Sequence, residues 1–373
     1  MSLRPARRSR RRLVHSGPRA PGRSMRWQSL GRISRRESRP DTLRSPVRDG
    51  RGTLSVIITV TLNPAIDETV ELDHFVEGDT NRVASIRRDI GGKGINVARV
   101  LKELGYEPLA MGFAPGDLGR MIEDTLRDEN IGVDFTFLDG VTRTNITILD
   151  RSKHRHTVLS AAGPFASPDD IEEMIGNIRR RLRPDTWLVL AGSLPPPCTG
   201  EVYGRLVLEA ERAGALTALD ADGVVVRQVL DTGARPTVIK VNQHELGRVH
   251  GDPVSTEDEV FEAAEAMRHL GVAAVVVTRG ILGSVALTPD ADYRISAPDV
   301  EVVSAVGAGD AFLAAMLLGL RRAEGWEQSL RHGAAASVAC CLMPGSAECR
   351  VHDVKRLSDE VVVKLIARHA PVG

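Results

Sequence analysis

From Leu54 onward the chain alternates short, fully apolar runs with longer stretches whose apolar residues recur at helical spacing. The runs LSVIITVTL (54–62), TWLVLAG (186–192), ALTALD (215–220), RPTVIK (235–240) and VAAVVVT (272–278) read as strands buried on both faces. Between them, 168–182, 200–213 and 256–270 read as helices. GINVARVLKELG (94–105) sets Val97, Leu101 and Leu104 on one helical face and stops at Gly105. Strands apolar on both sides, alternating with helices, predict an α/β fold: a mostly parallel central sheet between two helical layers. The C-terminal stretches 308–341 and 352–368 read as mostly helical.

Four segments break this rhythm. DETVELDHF (67–75), RVASIRRDI (82–90), TRTNITILD (142–150) and RHTVLSAA (155–162) alternate polar and apolar residues, as strands with one wet face do. They predict a small second sheet drawn from about 64–90 and 142–162, a candidate lid; an edge extension of the main sheet is the competing arrangement.

Composition sharpens the domain boundaries. The chain has 373 residues with zero formal net charge, yet residues 1–52 hold 16 arginines against three acids. The remainder therefore carries a net charge of −13. Residues 1–52 have too little apolar surface to offset the entropy of ordering them and are expected to be disordered. Three origins compete for this tail: a basic arm for nucleic acid or an acidic membrane, an Arg-rich targeting peptide, and translation from an upstream start outside the natural product. The third is preferred, because orderly sequence begins abruptly at Leu54; N-terminal mass spectrometry of the native protein decides it. Residues 53–373 form the folded domain. No window approaches the ~20 apolar residues of a membrane helix. Cys198, Cys340, Cys341 and Cys349 show no CxxC spacing, which fits reduced thiols and a cytoplasmic location.

The chemistry concentrates in glycine-rich stretches. In IGGKGINVARVL (90–101), glycines and Lys93 precede a helix, where backbone and charge together favour an anionic ligand; a tight turn with a solvated lysine is the plainer alternative. In AVGAGDAFLAAM (305–316), small residues clear space before a helix whose first-turn amides can form an anion hole, while Asp310 can accept a proton. A plain first-turn carboxylate explains Asp310 but not the clustered small residues. VNQHELG (241–247) offers Asn242 and Glu245 three residues apart on one helical face, a pair able to orient waters around Mg²⁺. TRGILG (278–283) offers Thr278, Gly280 and Gly283 as a nucleotide shelf. All follow apolar strands, at whose carboxyl ends open α/β sheets bind ligands.

GGKGINVARVL and SAVGAGDAFLAA resemble the two glycine-rich motifs of the PfkB (ribokinase-like) carbohydrate kinases. TLNPAID (61–67), TRTNITI (142–148), AGSLPPP (191–197), VNQHEL and PGSAEC (344–349) follow in the order of the 1-phosphofructokinase and tagatose-6-phosphate kinase branch. The resemblance covers 54–370. It implies a ribokinase-like three-layer αβα fold with a β lid, and an ATP- and Mg²⁺-dependent sugar-phosphate kinase. It makes Asp310 the general base and Val306, Gly307, Ala308 and Gly309, with the Asp310 amide, the anion hole. It sets Asp67, Gly92, Lys93, Asn96, Arg143 and Ser193 on the sugar phosphate. Lys240, Asn242, Thr278, Gly280 and Gly283 fall to ATP, and Glu245 to Mg²⁺ through water. It also implies a homodimer through the lid.

The chain departs from the pattern at Val241, where proline is usual, at Ala305, where threonine is common, and at Thr278, where serine is common. None touches the base. Lys93 resembles the 1-phosphofructokinase and tagatose-6-phosphate kinase branches, whereas LMPGSAECRVHDV (342–354) resembles the fructose-6-phosphate branch; fructose 1-phosphate is the preferred expectation, with the other two sugar phosphates as alternatives. A silent sugar-phosphate-binding regulator is the reading from another class, and nothing in the acidic body supports nucleic-acid binding.

Overall fold

The computed structural model describes residues 56–153 and 155–369; the basic tail lies outside them. The strands are β1 (Ile57–Thr61), β2 (Ala65–Leu72), β3 (Ser85–Gly91), β4 (Leu109–Pro115), β5 (Gly132–Leu138), β6 (Arg143–Asp150), β7 (Arg155–Leu159), β8 (Trp187–Ala191), β9 (Leu216–Asp220), β10 (Val238–Asn242), β11 (Ala274–Thr278), β12 (Ser284–Leu287), β13 (Ala291–Ser296) and β14 (Val362–Arg368). The helices are α1 (Lys93–Glu103), α2 (Gly116–Asp128), α3 (Pro168–Arg181), α4 (Gly200–Arg212), α5 (Gly223–Asp231), α6 (Gln243–His250), α7 (Glu257–His269), α8 (Ala308–Arg321), α9 (Gly325–Cys341) and α10 (Val351–Glu360).

Ten strands form the main sheet in the order β14-β13-β12-β11-β10-β9-β8-β1-β4-β5. From β11 to β5 neighbours run parallel, and β12, β13 and β14 add antiparallel strands at one end. The two-residue period of a strand sorts the sheet's side chains into two cores. Ile58, Leu188, Leu190 and Val275 pack with α3, α4, α5, α6 and α7. Ile57, Trp187, Val189 and Val276 pack on the other face with α1, α8, α9 and α10. That is the three-layer arrangement the apolar runs predict. Local sequence fixes the helix starts as well: Ser167 with Asp170, Asn242 with Glu245, and Thr256 with Glu259 form capping boxes.

The alternating segments form a separate four-stranded sheet, β3-β2-β6-β7. Its base joins the body through Ile66 and Ile90, which pack with Ile95, Ala98 and Ala110.

One expectation is corrected. Residues 352–368 are not helical throughout: α10 ends at Glu360, and Val362–Arg368 form β14, antiparallel to β13. The mixed sequence VVKLIAR carries no clean strand period, so the free edge of β13 decides its conformation. Tertiary pairing overrides a weak local preference here.

Candidate active site

Asp310 sits in the first turn of α8, and its residue is only 5% exposed. No side chain caps this helix, so its first amides point out of its end beside the carboxylate. Gly307, just ahead of the helix, has φ 80°, a left-handed conformation that glycine adopts at little cost. The loop hangs from its neighbours: the Val306 carbonyl accepts from Ala347 N at 3.1 Å, and Val303 N donates to the Cys341 carbonyl at 2.8 Å. Asn96, on α1, donates through Nδ2 to Asp310 Oδ2 at 2.8 Å. Burial and the nearby Asp220 carboxylate push the Asp310 carboxyl up to about 6, against the pull of Lys93, Asn96 and Lys240.

Beside it lies an ionic cluster whose centre the sequence did not reveal. Asp220, the last residue of β9, is wholly buried and accepts from Lys93 Nζ at 2.7 Å and Lys240 Nζ at 2.6 Å. Burial pushes this carboxyl up, but the two lysines together outweigh it and hold it below the usual range. Burial also opposes the charge on Lys93, yet Asp220, Glu245 and Asp310 overcome it and keep the ammonium protonated. Lys93 reaches Glu245 Oε1 at 3.4 Å. The one sequence signal for Asp220 is its place: a charge closing an apolar parallel strand, at the edge where such sheets bind ligands.

The remaining site residues fall into three groups. Asp67 accepts from Asn145 Nδ2 at 2.8 Å across the β2–β6 pair, and burial raises its carboxyl. Arg143, at the lid's root, donates to the carbonyls of Ala161 and Asn63 and to Ser193 Oγ at 2.9, 3.0 and 3.0 Å. Arg143, Ala161, Asn63 and Ser193 border a recess of about 530 Å³ that also includes Pro196 and Cys198 but not Asp67. Asn63 stands beside them with its Oδ1 buried and unpartnered. Gly192 links this group to the first: it bonds the Asp220 carbonyl through its N–H at 2.9 Å and lies against Lys93. Gly92 directly precedes α1 and positions Lys93.

On the other side, Asn242 and Thr278 end adjacent parallel strands in register. Gly280 and Gly283 close the turn after Thr278, both with positive φ. Asn242 is the N-cap of α6 and does not share a helical face with Glu245. Its side chain accepts from Glu245 N at 2.9 Å, while Glu245 Oε2 accepts from Asn242 N at 2.8 Å. Glu245 Oε1 is thus the oxygen left facing the site. Among the described residues no three His, Cys, Asp or Glu side chains converge, so a cation here would take its other oxygens from phosphate and water.

A Cβ on Gly309 would stand 2.9 Å from Lys240 Nζ. Gly309→Ala is therefore expected to leave the melting temperature near wild type while raising the KM for nucleotide, because only the end of Lys240 is displaced. An unchanged KM would show that Lys240 does not meet the nucleotide.

A buried carboxylate at an uncapped helix start and two fixed ammoniums, on an α/β body with a second β-sheet, are the arrangement of a phosphotransferase acting on an alcohol group. The model of the pfkB family carbohydrate kinases matches residues 60–353, and the chain belongs to that family. It is 32% identical over 277 residues to a tagatose-6-phosphate kinase of Staphylococcus epidermidis, covering 74% of this chain and 89% of the relative. The structure of phosphofructokinase-2 from Escherichia coli with substrates and products superposes with a TM-score of 0.76 at 27% identity, over 82% of this chain and 99% of that one. The tetrameric inhibited form of the same enzyme gives the same TM-score, identity and coverage. The chain is a sugar-phosphate kinase.

Proposed function

We propose that this kinase transfers a phosphoryl group from ATP to the 6-hydroxyl of fructose 1-phosphate, with Asp310 as the general base. The observation that carries the reading is the Asp310 carboxylate, held by Asn96 at the uncapped amino end of α8. A buried carboxyl near 6 is charged at neutral pH yet basic enough to draw a proton from an attacking hydroxyl. The amides of Val306, Gly307, Ala308, Gly309 and Asp310 would meet the transferring group's oxygens, and Lys93 and Lys240 add positive charge nearby.

ATP, when bound, supplies the phosphoryl group. Lys240 and Asn242, at the carboxyl end of β10, and Thr278, Gly280 and Gly283, after β11, would hold the nucleotide along the sheet edge. The missing Cβ at Gly309 lets the Lys240 ammonium lie against the first turn of α8, which fits this use. Glu245 offers a hard oxygen to Mg²⁺ through water. On the acceptor side, the Arg143–Ser193 recess suits the sugar's existing phosphate, with Arg143's planar fork as its reader. Asp67, Gly92 and Asn96 would face the hydroxyls. Lid residues Ile86, Val158 and Leu159 are exposed and apolar, which suits pairing with the lid of a second copy. Among the described residues no helix is long and apolar enough to cross a membrane, and we place the enzyme in the cytoplasm.

The 32% identical relative favours tagatose 6-phosphate as a second reading. Coupled turnover on fructose 1-phosphate, fructose 6-phosphate and tagatose 6-phosphate tests both. The highest kcat/KM is expected for fructose 1-phosphate. A higher value for tagatose 6-phosphate would transfer the assignment, and no turnover on any would remove the ketohexose-phosphate reading.

A further inference from the structure

We infer that Asp220 is a positioning residue for phosphoryl transfer, one buried carboxylate that clamps the ammoniums of Lys93 and Lys240 beside Asp310. The inference rests on the kinase reading above. Each carboxylate oxygen is committed to one lysine: Oδ1 accepts from Lys93 at 2.7 Å and Oδ2 from Lys240 at 2.6 Å. The three residues come from different elements, the end of β9, the start of α1 and the middle of β10.

A free lysine samples many rotamers, and the catalytic value of its charge falls as it wanders. Asp220 removes that freedom from two lysines at once, before any substrate arrives. Lys240 is only 3% exposed, and its ammonium ends under Gly309 in the first turn of α8. The clamp fixes both ammoniums near the end of α8, where a phosphoryl group would develop charge, while Glu245 reaches only Lys93, at 3.4 Å. A purely structural site gains little from such a cluster, since apolar side chains of equal volume commonly stabilise a core as well.

Asp220 also acts on the base. Asp310 is faced by Asp220 from β9, Lys93 and Asn96 from α1, Lys240 from β10, Cys340 from α9 and the nearby Ser346. Neutralising Asp220 removes a like charge and leaves both cations, so Asp310 gives up its proton at lower pH.

Asp220→Asn tests the clamp in the full-length enzyme. We expect kcat to fall about 100-fold, the loss associated with misplaced catalytic groups. The acid limb of kcat/KM should move to lower pH. Acylation of Lys93 by acetic anhydride, read by peptide mass spectrometry against exposed Lys355, should rise several-fold, because the side chain is no longer tied to Asp220 and can swing out to the reagent. Turnover within threefold of wild type overturns the inference. A fall with both the acid limb and Lys93 acylation unmoved overturns it too, since damage to folding alone would do that. If the asparagine variant does not fold, Asp220→Glu keeps the charge and shifts it by one methylene; a similar loss with the acid limb in place is expected, and near-normal turnover overturns the clamp. Should wild-type enzyme phosphorylate none of the three sugar phosphates, the ketohexose-phosphate reading fails, while Lys93 acylation still decides whether Asp220 holds the lysine.

Discussion

Asp310→Asn is expected to lower turnover about 1,000-fold, within the range that loss of a general base produces. Asparagine has nearly the same shape, and its carbonyl oxygen can still accept from Asn96 Nδ2. The KM for sugar phosphate and the nucleotide affinity should therefore stay within a few-fold of wild type. The pH profile supplies the sign. A base must be unprotonated to work, so wild-type kcat/KM should fall about tenfold per pH unit below about 6 and level off above it. The residual rate of the variant should lack that limb. Near-normal turnover in the asparagine variant would assign the base elsewhere.

The second large effect is expected at Gly307. Its φ of 80° is unfavourable for any residue with a Cβ, and that Cβ would stand 2.4 Å from Ala347 N and 2.6 Å from Ala347 Cβ. Backbone cannot step aside as a flexible side chain can. Gly307→Ala should therefore destabilise the fold by about 1–3 kcal/mol and lower kcat about 100-fold through the displaced loop amides. Gly78→Ala provides the control, because Gly78 has φ 79° with nothing within 4 Å. It carries the conformational strain without the collision. If Gly307→Ala lost no more activity than Gly78→Ala, the loop amides would not be the anion hole.

Much of this fold was legible because burial writes itself into short-range patterns. TWLVLAG and VAAVVVT are apolar on both sides, and the structure buries both faces of β8 and β11. RVASIRRDI alternates and contributes most of β3 (Ser85–Gly91), although burial there does not alternate: Ser85 to Arg88 are exposed and only Ile90 and Gly91 are buried. Asp310 was legible for the same reason, since the small residues around it lie within five positions. Asp220 was not. Its partners are 20 and 127 residues away, so no local spacing marks it. Asn63 escaped similarly, because it meets Ser193 and Leu194 130 and 131 residues away, and Asn145 because its partner Asp67 lies 78 residues away on the neighbouring strand. The strand β14 was misread because its conformation belongs to the edge it joins rather than to its own seven residues.

The bond between Asn96 and Asp310 spans 214 residues of sequence. A ribosome adding about 5–20 residues per second needs roughly 10–40 s to cross that interval. Late in that interval the nascent chain holds Lys93, Asp220 and Lys240 but still lacks Asp310 and the amino end of α8. It also lacks the surface of α8 and α9 that covers one face of the sheet. Until residue 310 and the helix behind it have emerged, the chain has an uncovered apolar face and lacks the proposed base. Chaperone protection and the onset of activity should therefore change hands over the same last stretch of synthesis.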